Sequence, residues 1–365
     1  MQACLKRKKT CCSGPARTNT TSPMRKLLIN ILWTLNLLAA FALLAAYLAP
    51  FFNPNKINLF AFFGIGFPLF LYANIFFVPF WLIFKRKYIW LSLALLLLGY
   101  PMVRRHLQLF PERTTQSRDG IKIISYNVRN FAQLGRKSLK TTIHSIDSLL
   151  SGQHPDIICL QEAKHSKYTK GFLKHGFKKY GKSENIIYTN LPVIHQGNVI
   201  DKQDNKFGIY ADILFNSDTI RVYNIQLLSY SVSRDIEAYD KTKKVNRKQF
   251  FFSVASKLNS GFTRRVSETE TLKKVLMKSP YPIIVCGDFN DPPASFTYQE
   301  VISTGLQDAF IESGNGYGNT YNWSFPKVRI DYIFTSSDFD IYNYKVLHTS
   351  LSDHMPIEAF LVPGE

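Results

Sequence analysis

Asp288 and Asn290 follow an apolar run, Ile283-Ile284-Val285-Cys286, that breaks at Gly287. Residues two apart on an extended chain point to the same side. A strand ending at Gly287 would therefore aim both at one place on a sheet rim. The carboxylate could take a proton from water, and the amide could hydrogen-bond a developing anion. A plain Gly-Asp turn is the structural alternative. Other strand-like runs carry polar ends in the same manner, at Asn127, Glu162, Gln226 and Asp331, and Ser352-Asp353-His354 precedes the last one. Taken singly, each has an ordinary role. Glu162 could be a solvated strand end, Asn127 a turn cap, Asp331 an ion-pair partner of Arg329, and His354 a satisfied core histidine.

The set occurs in a fixed order. Ser125-Tyr126-Asn127-Val128-Arg129, Leu160-Gln161-Glu162, Gly287-Asp288-Phe289-Asn290, Arg329-Ile330-Asp331-Tyr332-Ile333 and Ser352-Asp353-His354 together resemble the endonuclease/exonuclease/phosphatase superfamily. The resemblance covers residues 120–362 and implies an α/β (α+β) fold, a four-layer DNase I-like β-sandwich flanked by helices. It also implies a metal-dependent hydrolase acting on phosphate esters, with Mg²⁺ or Mn²⁺ as cofactor. Such hydrolysis needs a divalent cation to neutralise the phosphate and polarise its oxygen. Glu162 is a suitable hard-oxygen ligand. Asp288 fits the base, Asn127 and Asn290 fit donors to phosphoryl oxygens, and His354, made cationic by Asp331, fits an oxyanion stabiliser. The resemblance gives these residues the same roles, counts Asn127 with Glu162 at the metal, and adds Asp353 as a second metal contact. Arg129 could hold a phosphate or pair with Glu162. Gln226 departs from the pattern, because histidine usually stands there. Glutamine can donate a hydrogen bond but cannot supply a proton. The alternative to an enzyme is a non-catalytic binding module of the same fold.

These residues need elements to position them. Ile121–Val128 reads as a strand, and Leu139, Ile143, Ile146, Leu149 and Leu150 mark an amphipathic helix. A buried strand over Ile157–Leu160 ends at Gln161-Glu162. Tyr210–Phe215 and Thr219–Leu227 read as a strand pair, residues near 245–278 as helix, with Ser267 and Glu270 at capping-box spacing, and Arg329–Thr335 and Pro356–Leu361 as strands. Cys159 and Cys286 sit in apolar runs as buried small hydrophobes, and Cys4, Cys11 and Cys12 lack His partners at zinc spacing.

The chain has 365 residues and a formal charge of +19. Residues 1–105 hold 13 Lys/Arg and no acidic residue, so the excess over the remaining 260 is only +6. The charge is not a nucleic-acid footprint of the whole protein. The organisation read from the sequence is a basic tail (1–26), a transmembrane region of two or three helices (27–105), a linker (106–120) and a catalytic domain (121–365). Leu27–Leu48 and Ile57–Phe84 are long enough to cross a bilayer, whereas Tyr88–Val103 is short and could span or lie at the interface. The absence of ionisable residues inside these segments speaks against a transporter. The basic residues before the first span, and Lys85-Arg86-Lys87, place the N-terminus and second loop in the cytoplasm. Three spans then put the catalytic domain on the extracytoplasmic face, and two would reverse it. Expected partners are the membrane, through these helices, and a phosphate-ester substrate, either nucleic acid or a phospholipid or inositol headgroup. No feature points to an obligate protein partner. Lys164, Lys167, Lys170 and Lys174, with Tyr168 and Phe172, could form a basic aromatic surface for a nucleic acid or a solvated helix face.

Overall fold

A computed structural model describes residues 23–109, 113–114, 119–132, 138–164, 172, 176–182, 184–230, 247–322 and 327–364. Two six-stranded sheets face each other. One runs β13-β14-β2-β3-β5-β4, where β2 is Ile121–Asn127, β3 Ile157–Gln161, β4 Lys178–Tyr180, β5 Ile186–Thr189, β13 Phe339–Val346 and β14 Ile357–Pro363. The other runs β10-β12-β9-β8-β7-β6, where β6 is Val193–Ile200, β7 Lys206–Phe215, β8 Asp218–Gln226, β9 Ile283–Asp288, β10 Gln307–Asp308 and β12 Asp331–Thr335. Each sheet has one parallel pair near its centre, β2 with β3 and β8 with β9, in otherwise antiparallel company. A small ribbon pairs β1 (Leu107–Gln108) with β11 (Gly316–Tyr317).

The period of two in the strands sorts the layers. Ile121 and Ile123 of β2, Ile157 and Cys159 of β3, Ile220 and Val222 of β8, and Ile284 and Cys286 of β9 meet in the sandwich interior. The intervening residues face out. Ile124, Tyr126, Ile158 and Leu160 pack under α6 (Leu139–Ser151) through Ile143, Ile146 and Leu150. Tyr223, Ile225, Ile283 and Val285 pack under α7 (Arg247–Met277) and α8 (Phe296–Ile302) through Leu272, Leu276, Tyr298 and Val301. Helix, sheet, sheet and helix make the four layers expected from the resemblance. Ser138 caps α6 by accepting from the Thr141 amide. The expected capping box at Ser267 is not formed, because α7 runs unbroken through it. Ser267 Oγ instead donates to Gln203 Oε1.

Among the described residues, five α-helices precede the sandwich: α1 (Pro23–Leu48), α2 (Leu59–Ile65), α3 (Phe67–Phe84), α4 (Ile89–Leu98) and α5 (Tyr100–Arg104). Pro23–Phe51 and Phe67–Phe84 are long and apolar enough to cross a membrane. The second apolar block is thus split, with helix α3 starting after Gly66 and carrying Pro68 in its first turn. The short third block is divided at Gly99 into α4 and α5. A buried polar chain ties three helices together. Trp81 Nε1 donates to Asn36 Oδ1, Asn36 Nδ2 to Ser92 Oγ, and Ser92 Oγ to Asn74 Oδ1. In apolar surroundings such bonds hold helices where hydrophobic contact alone discriminates weakly. The helices also rest on the sandwich. Gly64 lies so close to the Ala294 carbonyl that a Cβ would stand 2.3 Å from its oxygen. Arg105 donates to the Pro293 carbonyl and to Gln299 Oε1. The stretch read as a linker begins with structured residues, His106 and Gln108, both buried.

Candidate active site

The inner faces of the sandwich change character toward the C-terminal ends of the two parallel pairs. Apolar residues give way first to Ser125, Gln161 and Asn224, all fully buried. Gln161 Nε2 donates to Ser125 Oγ and Asn224 Oδ1 at 3.1 and 2.8 Å, and Asn224 Nδ2 donates to the Leu160 and Ile186 carbonyls. This polar layer is a floor. One step further along the same faces stand Asn127, Gln226, Asp288 and Asp331, with Asp331 opposite Asp288 in the ladder. Strand carboxyl ends are a common place for ligand sites in α/β sheets.

Asp288 lies at the centre. Its carboxylate accepts from Asn127 Nδ2 at 2.9 Å, from the Asn290 amide at 2.8 Å and from Asn290 Nδ2 at 3.1 Å. Asn290 reaches back because its own backbone is left-handed (φ 51°). Its second amide proton goes to the Leu227 carbonyl. Gly287 (φ 151°) permits the close approach of β9 to β8, for a Cβ there would sit 1.9 Å from the Ile225 carbonyl oxygen. His354 Nδ1 is 3.0 Å from Asp331 Oδ2, and Nε2 is 3.8 Å from Asp288 Oδ2. Burial pushes the Asp288 carboxyl up to about 7, against the pull of the His354 charge and with the push of Asp331. Burial works the other way on His354, but the charges of Asp331 and Asp288 outweigh it and lift the imidazole to about 10. The ring is therefore cationic at neutral pH.

Glu162 also has a left-handed backbone (φ 51°), which turns its carboxylate back into the pit. Oε1 accepts from Gln226 Nε2 at 3.0 Å and Asn127 Nδ2 at 3.2 Å. Beside it, Asn130 Oδ1 is buried without a hydrogen-bond partner. A carboxylate and an unpartnered amide oxygen are hard donors of the kind Mg²⁺ or Mn²⁺ takes, so these residues fit a divalent cation. Asp288, Asp331 and His354 also bring ligand atoms within 4.8 Å of one another. There the imidazole is held by Asp331 and carries a proton, which makes this trio a better proton-holding cluster than a cation cage. Asp353 stands at the rim, with Oδ2 at 3.4 Å from Arg129 Nε and Oδ1 accepting from Ser352 Oγ.

All eight residues singled out from the sequence lie around this one pit. Several alternatives resolve. Arg329 pairs with Asp308, not with Asp331, and Arg129 meets Asp353, not Glu162. Asn127 does both things expected of it, accepting from the Arg129 amide as a turn residue and reaching Glu162 and Asp288 through Nδ2. Its amide donors and those of Asn290 are engaged by protein groups. Ser352, of the Ser352-Asp353-His354 fragment, donates through Oγ to the Asn127 carbonyl. Two neighbours lie outside the sequence reading: Asn130 borders Glu162, and Tyr321 packs edge-on against the His354 ring, with centroids 4.9 Å apart. Only the Asn127–Asn130 turn carries a signal for either of them. Of the basic aromatic cluster, Lys167, Tyr168, Lys170 and Lys174 lie outside the described residues, Lys164 pairs with Glu184, and Phe172 is fully buried.

Residues 124–354 match the model of the Endonuclease/Exonuclease/phosphatase family. Residues 27–106 match a domain of unknown function. Comparison with curated proteins finds no match. Similar solved structures include an endonuclease/exonuclease/phosphatase family protein from Leptotrichia buccalis (14% identity, TM-score 0.49, covering 66% of this chain and 99% of that one). The human Nocturnin catalytic domain with bound sulfate is another (18% identity, TM-score 0.48, 68% and 95%). A mannosyl-6-phosphatase from Bacteroides thetaiotaomicron is a third (19% identity, TM-score 0.48, 66% and 99%).

Proposed function

This chain belongs to the Endonuclease/Exonuclease/phosphatase family, and from that premise we propose that it is a membrane-tethered, divalent-cation-dependent hydrolase of phosphate esters. The observation that carries the reading is the meeting of Asn127, Glu162 and Asp288 through the Asn127 amide, with His354 Nε2 3.8 Å from Asp288 Oδ2 and its Nδ1 held by Asp331, from segments far apart in sequence. When bound at Glu162, with Asn130 and Asn127 beside it, the cation supplies charge neutralisation of the phosphoryl group. Asp288 accepts the proton of an attacking water. Asn127 and Asn290 act chiefly by holding that carboxylate in place. His354, kept charged by Asp331, donates to a phosphoryl oxygen as negative charge builds there. Gln226 donates to Glu162 and offers its remaining amide proton to the substrate, without the proton a histidine would lend the leaving group.

The tether rests on the apolar helices. Gly64 and Arg105 both touch residues 293–299, so α2, between α1 and α3, and the exit from α5 lie on the sandwich side. With α1 crossing once, the basic N-terminal tail is on the opposite, cytoplasmic side and the sandwich is extracytoplasmic. Protease added to intact cells should then cleave the sandwich, and protection there would reverse the orientation.

The full-length chain in detergent micelles is expected to hydrolyse bis(p-nitrophenyl) phosphate or p-nitrophenyl phosphate with Mg²⁺ or Mn²⁺ and to stop in EDTA. Asp288→Ala should lower turnover by about 10³-fold. Hydrolysis that persists in that variant removes the assignment, and no hydrolysis of any ester leaves the binding-module reading.

A further inference from the structure

Phe251 and Phe252, in the second turn of α7, are 67% and 63% exposed. Adjacent bare phenylalanines belong to a contact with protein or membrane. The helix itself shows what they face. Phe251, Ala255, Leu258 and Phe262 follow one another at helical spacing and form one stripe. At its C-terminal end that stripe meets the apolar helices, where the Phe262 ring packs edge-on against Phe62 of α2 with centroids 5.1 Å apart. Lys248, Phe252, Ala255 and Asn259 make a neighbouring stripe, and Asn259 Oδ1 accepts from Asn58 Nδ2 at the start of α2. Phe251 and Phe252 therefore look to the side on which α2 lies, about 10–17 Å along the helix from these contacts.

Aromatic residues place that side at a bilayer surface. Trp33 of α1 stacks on Tyr88, with centroids 4.1 Å apart, and the Lys85 and Lys87 ammonium groups lie 4.9 and 5.2 Å from the centre of the Tyr88 ring. Rings beside lysines are what a spanning helix carries at the headgroup level. Phe51 lies about 27 Å further along the same apolar run, close to the ~30 Å of a hydrocarbon core. There Phe51, Ile57 and Leu59 are exposed, and Phe52 stacks on Phe60. Asn58, which holds Asn259, lies in this second belt.

Charge selects the occupant. Between Asp240 and Glu268 the sequence has eight Lys/Arg and no acidic residue. A second copy of the chain would set these charges against one another across a two-fold contact. An anionic lipid surface attracts them, and basic residues with phenylalanines on one face are the pattern of a helix lying in the interface.

We propose that the first three turns of α7, Lys248 to Leu258, lie in the headgroup region of the bilayer that α1 crosses, with Phe251 and Phe252 at the acyl boundary and Lys248 among anionic lipid phosphates. The assignment rests on the membrane-tether reading and adds a second attachment to it. The other half of the same helix carries Arg265 and Glu268, which bond the carbonyl and amide of Leu228 at 2.6 and 2.9 Å, two residues from Gln226. One helix thus runs from the lipid surface to the catalytic rim and sets the height of the pit above the bilayer.

The test reconstitutes the full-length chain in phosphatidylcholine vesicles, with and without phosphatidylglycerol, containing a lipid with a diazirine near its glycerol. Photo-adducts are mapped by mass spectrometry. They should fall on the peptide holding Phe251 and Phe252 as well as on α1 and α3, and those on α7 should rise about threefold with phosphatidylglycerol. Replacing both rings, Phe251→Asp with Phe252→Asp, should cut the α7 adducts about tenfold while the α1 adducts and the melting temperature stay as they were. Lys248→Glu should abolish the gain from phosphatidylglycerol, and it carries the test if the double variant does not fold. Adducts on α1 and α3 with none on α7 sink the second attachment and leave the tether. Adducts on neither remove both. Adducts on α7 that ignore these substitutions overturn the proposal. So does a copy-to-copy cross-link at Lys248 that the double variant loses, which would assign the phenylalanines to a second copy of the chain.

Discussion

Asp288 and His354 are two ionisable groups shifted by the same surroundings for opposite immediate reasons. Both stand above their ordinary values, at about 7 and about 10. A base must be ionised and an electrophile protonated, so the rate should climb as Asp288 loses its proton and fall as His354 loses its own. The pH–rate profile of His354→Gln should lack the alkaline limb. The stability consequence has one sign for both groups. Stability from a raised pKa is present below the unfolded value and disappears as pH rises through the folded one. The cation-free protein should therefore lose melting temperature from about pH 4 to 7 through Asp288 and from about pH 6.5 to 10 through His354, and His354→Gln should flatten the upper part of that decline. Gln226 offers a separate handle. Its Nε2 already points at Glu162, so Gln226→His should keep a donor there, add an acid, and raise kcat about tenfold. An unchanged or lower kcat would mean that leaving-group protonation is not limiting.

The elements that aim these residues are legible in the sequence to different degrees. The inner faces of β2, β3, β8 and β9 were readable because a strand alternates and ends at a polar residue, a local signal. The partner of Arg329 was not. Asp308 lies 21 residues upstream, in a two-residue strand no pattern marks. Ser267 and Glu270 match a helix-start pattern inside a helix whose packing against the sheet, through Leu272 and Leu276, overrides that local signal. Asn130 and Tyr321 come from irregular backbone, where side-chain direction has no period to follow. Two substitutions test the element-level account. Ile146→Ala on the buried face of α6 should cost about 2–5 kcal/mol in denaturant unfolding. Gly287→Ala should destabilise by about 3 kcal/mol and lower activity too, because the carbonyl it strikes belongs to the strand that carries Gln226.

At the scale of the whole molecule, Arg329 joins the apolar helices to the sandwich. Its guanidinium bonds both oxygens of Asp308 at 2.9 and 2.6 Å and the Arg105 carbonyl at 2.8 Å, between the rings of Phe310 and Tyr332. Removing one partner of so buried a pair strands the other, so Arg329→Ala should cost about 3–5 kcal/mol. The same interior holds Cys159 of one sheet and Cys286 of the other, both fully buried and near enough to interact, with the Cys286 thiol pushed well up by burial. Neither sulfur can meet a reagent while the sheets are closed. Alkylation of these two positions, followed by mass spectrometry under native conditions, should thus keep time with complete opening of the sandwich, giving the natural chain a built-in stopwatch for its own unfolding.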